Sequence, residues 1–253
     1  LRVLFLGNHT VGVTVMKVIS EEANLIGVVA HPEDPEDGKI YESVFCHAQH
    51  LNVHSIRASG TSKELANFAE VLLPDLIIIC DYKYLIPSRI FKIAKYGAIN
   101  LHPSLLPKYR GRAPINWAIL KGESTLGLTA HWVDEGMDSG SILIQKKYNL
   151  QQNEDISDAL EKLYPMYKSI TQQLLERIKS GRLRGKPQKE EDATYYPRRQ
   201  PKDGLINWVD KANDIWNLVR AVAPPYPGAF AQTEYGKLYI YKITGLREFS
   251  EGK

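Results

Sequence analysis

Two side chains set two positions apart are the strongest candidates for chemistry in this chain. They are Asn100 and His102, in the run Asn100-Leu101-His102-Pro103-Ser104-Leu105-Leu106-Pro107-Lys108-Tyr109-Arg110-Gly111-Arg112-Ala113-Pro114. The residues that lead into it, Gly97-Ala98-Ile99-Asn100-Leu101, read as a buried strand. Side chains at i and i+2 of a strand share a face. An amide and an imidazole therefore point the same way, just before Pro103 and Pro107 turn the chain. Such a pair presents a hydrogen-bond donor and a proton acceptor to one reacting atom. Ser104 is expected to make a turn hydrogen bond rather than act as a nucleophile, since no Gly-x-Ser-x-Gly elbow appears.

The elements that must position this pair are legible around it. Strand signals at 3–6, 25–30, 53–56, 76–80, 97–101 and 127–133 alternate with helical signals at 11–22, 41–50, 62–71 and 113–121, with a short helical turn within 87–95. This alternation predicts an α/β, Rossmann-like domain with a mainly parallel sheet. Leu76-Ile77-Ile78-Ile79-Cys80 is apolar on both faces, as a central strand is. Ligands on such sheets sit at the carboxyl ends of strands near a topological switch point. Here those ends are Gly7-Asn8-His9-Thr10, Asp81-Tyr82-Lys83-Tyr84 and Asn100 to His102.

Residues 155–181 read as one amphipathic helix, capped by Asp155 or Ser157 and ended by Gly181. Pro165 is expected to kink or split it. The pattern predicts a catalytic domain over 1–181, a linker over 182–203 and a small C-terminal domain over 204–253. The last contains a helix at 211–223, a Pro-Pro-Tyr-Pro-Gly turn and strands at 229–233 and 237–243 with a hairpin turn at Tyr235-Gly236. At about fifty residues it must dock on the first domain to be stable.

Composition narrows the classes. With 253 residues, 43% hydrophobic and 24% charged, the chain is an ordinary globular sequence. No apolar run approaches the roughly 18 residues of a membrane span. The sequence begins directly in a strand pattern without a signal segment or an initiator Met, and Cys46 and Cys80 have no paired spacing. These features lead us to expect a reducing, cytoplasmic location. A net charge of +3 is too mild to imply nucleic acid, and the basic excess within 179–199 reads as a solvated linker. The Gly7-Asn8-His9-Thr10-Val11-Gly12 turn has the position of a phosphate loop but lacks the Walker Lys-Ser/Thr and the G-x-G-x-x-G spacing, leaving at most a weak diphosphate contact. His47 and His50 lack a third ligand, and no metal is expected.

Two further segments change the weight of the Asn100–His102 pair: Tyr109-Arg110-Gly111-Arg112-Ala113-Pro114 leading to Trp117, and the strand and Gly-rich acidic loop Gly127-Leu128-Thr129-Ala130-His131-Trp132-Val133-Asp134-Glu135-Gly136-Met137-Asp138-Ser139-Gly140. From about Leu76 to Ile144 the chain resembles the folate-dependent formyltransferases, with weaker similarity over nearly its whole length. The resemblance implies a formyltransferase fold with a small, mainly β, OB-like but truncated C-terminal domain. It implies 10-formyltetrahydrofolate as donor, an amine as acceptor and no metal, with Asn100, His102 and Asp138 as the catalytic triad. It implies that Tyr84, Leu85 and Ile86 hold the pterin through backbone groups, and that Arg112 with Asp134, Glu135, Gly136 and Met137 supply the other folate contacts.

The chemistry agrees with these roles. The attacking amine must be neutral, so a base near neutral pKa is needed, and His102 is suited to it. The tetrahedral intermediate's oxygen needs a positioned donor, and an amide such as Asn100 is worth roughly 2.7–4 kcal/mol in comparable holes. Asp138 can orient His102 and favour its charged form.

Among acceptors, the resemblance is to the nucleotide-sugar N-formyltransferases. Tyr109 to Trp117 looks most like theirs, as do Tyr196 to Gly204, Trp208, Arg220-Ala221-Val222 and Pro225 to Phe230. The expected substrate is a dTDP- or UDP-linked 4-amino-4,6-dideoxy sugar, with Lys83 near its pyrophosphate and Asn8 and Tyr226 as further contacts. Dimers are common among similar sugar enzymes, so a homodimer is compatible. The alternatives are a methionyl-tRNA formyltransferase with a shortened tail, for which so small a tail is a meagre phosphate-tracking surface, and a folate-site relic that binds without turnover.

Overall fold

The computed structural model describes residues 1–32, 37–39 and 41–245. In chain order the elements are β1 (Arg2–Gly7), α1 (His9–Glu22), β2 (Asn24–Ala30), α2 (Val44–His50), β3 (Ser55–Arg57), α3 (Lys63–Leu72), β4 (Leu76–Cys80), α4 (Ser88–Phe91), β5 (Ala98–His102), β6 (Arg110–Gly111), α5 (Pro114–Leu120), β7 (Thr125–Trp132), β8 (Ile142–Asn149), α6 (Ile156–Lys179), β9 (Tyr195–Tyr196), α7 (Ala212–Ala221), β10 (Ala229–Thr233) and β11 (Gly236–Ile240).

The main sheet runs β3-β2-β1-β4-β5-β7-β8. The strands from β3 to β5 are parallel, whereas β7 pairs antiparallel with β5 and β8 antiparallel with β7. β4 is buried along its whole length, as its unbroken apolar run requires. Alternation divides the core into two clusters on opposite faces. Phe5, Ile78, Ile99 and Leu101 pack with α1, α5 and α6, while Leu4, Leu6, Ile77 and Ile79 pack with α3 and α4. Each fully buried Leu or Ile contributes roughly 1.5–3 kcal/mol, so the central strands anchor whatever their ends carry.

Several expectations are corrected. α6 is not split at Pro165. The Pro lies on the exposed face, where the Glu161 carbonyl it frees meets water. Ile156, Ala159, Leu163, Tyr167 and Ile170 pack continuously on the other side. Of the two candidate caps, Asp155 caps this helix, in a capping box with Asp158. The second helix begins at Val44, where Ser43 caps it, rather than at 41. β8 is a further strand, and its second half, Gln145-Lys146-Lys147-Tyr148-Asn149, lacks an apolar alternation and carries two lysines, as edge strands do. The β10–β11 turn is Glu234-Tyr235, since Gly236 already pairs with Thr233.

The C-terminal segment docks as its size demands. α7 and the β10–β11 hairpin enclose a small core of Ile206, Val219, Val222 and Ala229. Asn116 of α5 donates to the Ala221 carbonyl (2.8 Å), and Trp216 to the Gln152 carbonyl (3.1 Å). Residues 182–203 return along the sheet and are tied down on the way. Lys186 and Ile142 exchange two backbone hydrogen bonds of 2.8 Å, and β9 pairs in parallel with β6.

Candidate active site

Asn100 and His102 project from the same face of β5 into a cleft of ≈ 680 Å³, which Asp138 also lines. The adjoining antiparallel strand places His131 directly opposite Asn100. The His131 Nδ1–H donates to the Trp132 carbonyl (2.8 Å), which leaves Nε2 as an acceptor. The Asn100 amide nitrogen then donates to His131 Nε2 and to Asp138 Oδ1, both at 3.3 Å. This network fixes which end of the amide faces which partner.

The imidazole of His102 is held from the other side. Its Nε2–H donates to the Tyr109 carbonyl (2.8 Å), so Nδ1 is the nitrogen free to take a proton, and it lies 3.6 Å from Asp138 Oδ2. Burial pushes the His102 pKa below its ordinary value; the Asp138 charge and the Tyr109 carbonyl pull it back, and the nearby His131 adds to the lowering. His102 is 5% exposed. A neutral imidazole at physiological pH, beside a carboxylate that stabilises its protonated form, has the properties a general base needs.

For Asp138, burial alone would push the carboxyl up. His102, His131 and the Gly111 amide more than reverse this and hold it well below the usual carboxylate range. The Gly111 N–H donates to Oδ2 at 2.9 Å. Gly111 has φ +97, and a Cβ there would stand 2.5 Å from the Tyr196 carbonyl. Only glycine lets the backbone approach β9 and aim its N–H at Asp138. Tyr109 (φ 62), Ala113 (φ 51) and Asp138 (φ 53) are left-handed without being glycine. Backbone of this type costs about 1–3 kcal/mol per residue, and it gathers here, where the Tyr109 carbonyl and the Asp138 carboxylate are aimed.

The remaining candidates share the cleft unevenly. Lys83, Tyr84, Leu85, Ile86, Arg112, Asp134, Glu135, Gly136, Met137 and Tyr226 all line it. Arg112 ties two walls together by donating to the Lys83 carbonyl (2.5 Å). Asp134 closes its own turn by accepting from the Gly136 N–H and the Ser139 hydroxyl. Glu135 pairs with Lys92 at 3.0 Å. The Lys83 ammonium has no carboxylate partner among the described residues and sits over the Tyr84 ring at 5.4 Å. Burial pushes the Tyr226 hydroxyl pKa up to about 12. Asn8 does not line the cleft: it is 1% exposed, and neither of its amide atoms has a partner among the described residues. Beside it, His9 and Asp81 meet at 2.5 Å across the ends of β1 and β4. The Ser104 hydroxyl makes a turn bond to the Lys108 carbonyl (2.8 Å), its N–H donates to the His102 carbonyl, and its own carbonyl accepts from the Thr129 hydroxyl (2.7 Å). Among the described residues, no group of three His, Cys, Asp or Glu is arranged to hold a metal ion, and no helix is long and apolar enough to cross a membrane.

Sequence reasoning missed His131, Gln188 and the backbone groups of Tyr109 and Gly111. The signal for His131 was its place, as an odd polar residue, in an apolar strand; its partner depends on the β5–β7 register.

Known proteins share this fold. Residues 2–174 match the formyl transferase family and residues 199–253 the formyl transferase C-terminal domain. A 4-N formyltransferase from Francisella tularensis superposes with a TM-score of 0.77 at 18% identity, over 96% of this chain and 98% of that one. An N-formyltransferase from Helicobacter canadensis, solved with folinic acid and dTDP-3-aminofucose, gives 0.76 at 18% identity, over 99% and 92%. HypX from Aquifex aeolicus gives 0.69 at 21% identity, and the chain, matched over 95% of its own length, spans only 37% of HypX. The imidazole, carboxylate and amide in one cleft thus lie on a scaffold matched in both its parts, and the chain belongs to the formyl transferase family.

Proposed function

We propose that this chain is a 10-formyltetrahydrofolate-dependent N-formyltransferase whose acceptor is the amine of a dTDP- or UDP-linked 4-amino-4,6-dideoxy sugar. The observation that carries the reading is the buried His102, kept neutral by burial and flanked by Asp138 and Asn100, in a cleft of ≈ 680 Å³. In support, two solved sugar- or N-formyltransferases match the chain end to end.

The lining suits the donor. Ile79, Ile86, Phe91 and Val133 offer apolar walls to a flat ring, with the backbone of Tyr84, Leu85 and Ile86 and the loop of Asp134, Glu135, Gly136 and Met137 at its edges, and Arg112 beside them. When bound, the folate supplies a formyl group poised for transfer. His102 Nδ1 accepts the proton of the attacking amine, Asp138 stabilises the imidazolium that forms, and the imidazolium returns that proton to the donor nitrogen as its bond to the formyl carbon breaks. Asn100 donates to the formyl oxygen as it gains charge. Its two N–H groups are engaged at 3.3 Å in this structure, long contacts from which one can turn. Lys83 meets the pyrophosphate, and Tyr226 the sugar. Within this reading residues 1–181 carry catalysis, 182–203 connect, and 204–253 add Tyr226.

The test is turnover of purified protein with 10-formyltetrahydrofolate and a panel of dTDP- and UDP-linked amino sugars, read by mass spectrometry of the formylated product. Formylation of charged initiator tRNA with no sugar turnover overturns the acceptor. Binding of folate and nucleotide sugar with no transfer to any amine overturns the activity.

A further inference from the structure

Gln188 belongs to the segment that returns across the site, fifty positions beyond Asp138. Its Nε2 donates one hydrogen to the Asp138 carbonyl (2.8 Å) and the other to the Gly140 carbonyl (2.7 Å). Its Oε1 accepts from Arg110 Nε (3.2 Å) and Nη2 (3.0 Å). A guanidinium can only donate and a carbonyl can only accept, so the amide has one orientation here and both its ends are in use.

Arg110 is the largest fully buried side chain among the described residues, 1% exposed. A buried charge persists only with partners. Besides Gln188 it has the Glu190 carboxylate (2.8 Å), the Tyr195 hydroxyl and the Tyr195 ring at 5.2 Å. The main chain joins the same arrangement. The Arg110 N–H donates to the Thr194 carbonyl (2.8 Å), and the next amide, Gly111, holds the Asp138 carboxylate. The turn pinned by Gln188 contains the left-handed Asp138. It is also crowded, since a Cβ at Gly140 would lie 1.9 Å from the Trp132 carbonyl.

We propose that Gln188, oriented by Arg110, is a positioning residue for the transfer: by holding the Asp138 and Gly140 carbonyls it keeps Asp138 in its left-handed conformation and so aims the carboxylate at His102. This rests on the formyl-transfer reading. Residues 186–196 are then part of the site's framework, although none of their side chains touches the reacting groups.

Gln188→Glu and Gln188→Ala test this. Glu keeps the size of Gln and strengthens the pairing with Arg110, but turns acceptor oxygens toward two carbonyls, so it separates stability from aim. Both variants are expected to lose roughly tenfold to a hundredfold in kcat, the scale of a misplacement near 1 Å, with KM for both substrates changing by less than about twofold. The second readout is the titration of His102 by nitrogen-15 NMR. The charged or titratable groups facing His102 are Asp138 and His131. As Asp138 favours the imidazolium, its displacement moves the His102 titration to lower pH. A folded variant with wild-type kcat and an unmoved titration overturns the proposal. Should Gln188→Ala not fold, Gln188→Glu decides it. Absence of formyl transfer by the wild-type protein overturns the reading instead, and the NMR titration then still tests the aim of Asp138.

Discussion

Asp138→Asn keeps the shape of the side chain and removes its charge. Its effect can be worked from the 3.6 Å between Asp138 Oδ2 and His102 Nδ1. At an effective dielectric near 20, two unit charges at this distance attract by roughly 4–5 kcal/mol. If half the imidazolium charge is present in the transition state, the rate falls about fiftyfold; with the full charge it falls a few thousandfold. The variant carries a second cost. The new amide can accept from Gly111 or from Asn100, but its NH2 then faces another donor, which costs about 1–3 kcal/mol and lowers Tm by roughly 2–4 °C for each kcal/mol.

The pH dependence has a definite sign. Asp138 raises the His102 pKa against burial, so its loss lowers that pKa further. The acid limb of kcat/KM moves to lower pH even as the rate drops. Stability behaves separately. The native Asp138 carboxyl is held low, so its contribution is complete above the unfolded pKa of about 4 and is lost only as pH falls through the depressed value; the variant lacks it at every pH. The assay is the initial rate of tetrahydrofolate release between about pH 5 and 8, with melting followed in parallel. A rate within about threefold of wild type and an unmoved acid limb refute the assignment of Asp138 as the charge partner of His102.

Three further outcomes are expected. His131→Ala removes the acceptor that orients Asn100 and should cost about tenfold in kcat, the scale of one hydrogen bond; because His131 lowers the His102 pKa, the acid limb should move up, opposite to Asp138→Asn, and a downward shift would contradict this. Gly111→Ala must place a Cβ 2.5 Å from the Tyr196 carbonyl at φ +97, and a fall in Tm of roughly 5–10 °C with loss of activity is expected; a thermal melt matching wild type would mean the β6–β9 contact is loose. Lys83→Met should raise KM for the anionic acceptor about tenfold or more and leave that for folate unchanged, as steady-state kinetics at several salt concentrations would reveal; the reverse pattern would move Lys83 to the donor side.

The parts of the site that sequence made legible are those set by local periodicity. Alternation along a strand was enough to put Asn100 and His102 on one face, and strand ends were enough to locate the cleft. Asp138 was visible only through family likeness, because its loop returns to His102 from an antiparallel strand whose register no local pattern encodes. The same register pairs His131 with Asn100, and Gln188 reaches the site only after the chain has passed through α6. Pro165 leaves α6 unsplit for a related reason: propensity describes the isolated helix, whereas continuous packing on α1 and an exposed proline decide the folded one. Asn8 was placed near the site by its strand end, but tertiary packing buries it.

The division of the core between the two faces of the sheet has a consequence for how such a protein can change. The cleft takes Ile79, Ile86, Phe91 and Val133 from the cluster beneath α3 and α4, but Val11, Leu160, Leu163 and Tyr167 from the layer of α1 and α6. The two ends therefore rest on separate foundations, on opposite faces of β1, β4 and β5. Substitutions that reshape one end need not be repacked at the other, so under the proposed function acceptor choice can drift through α6 and the Tyr226 turn while donor handling stays fixed.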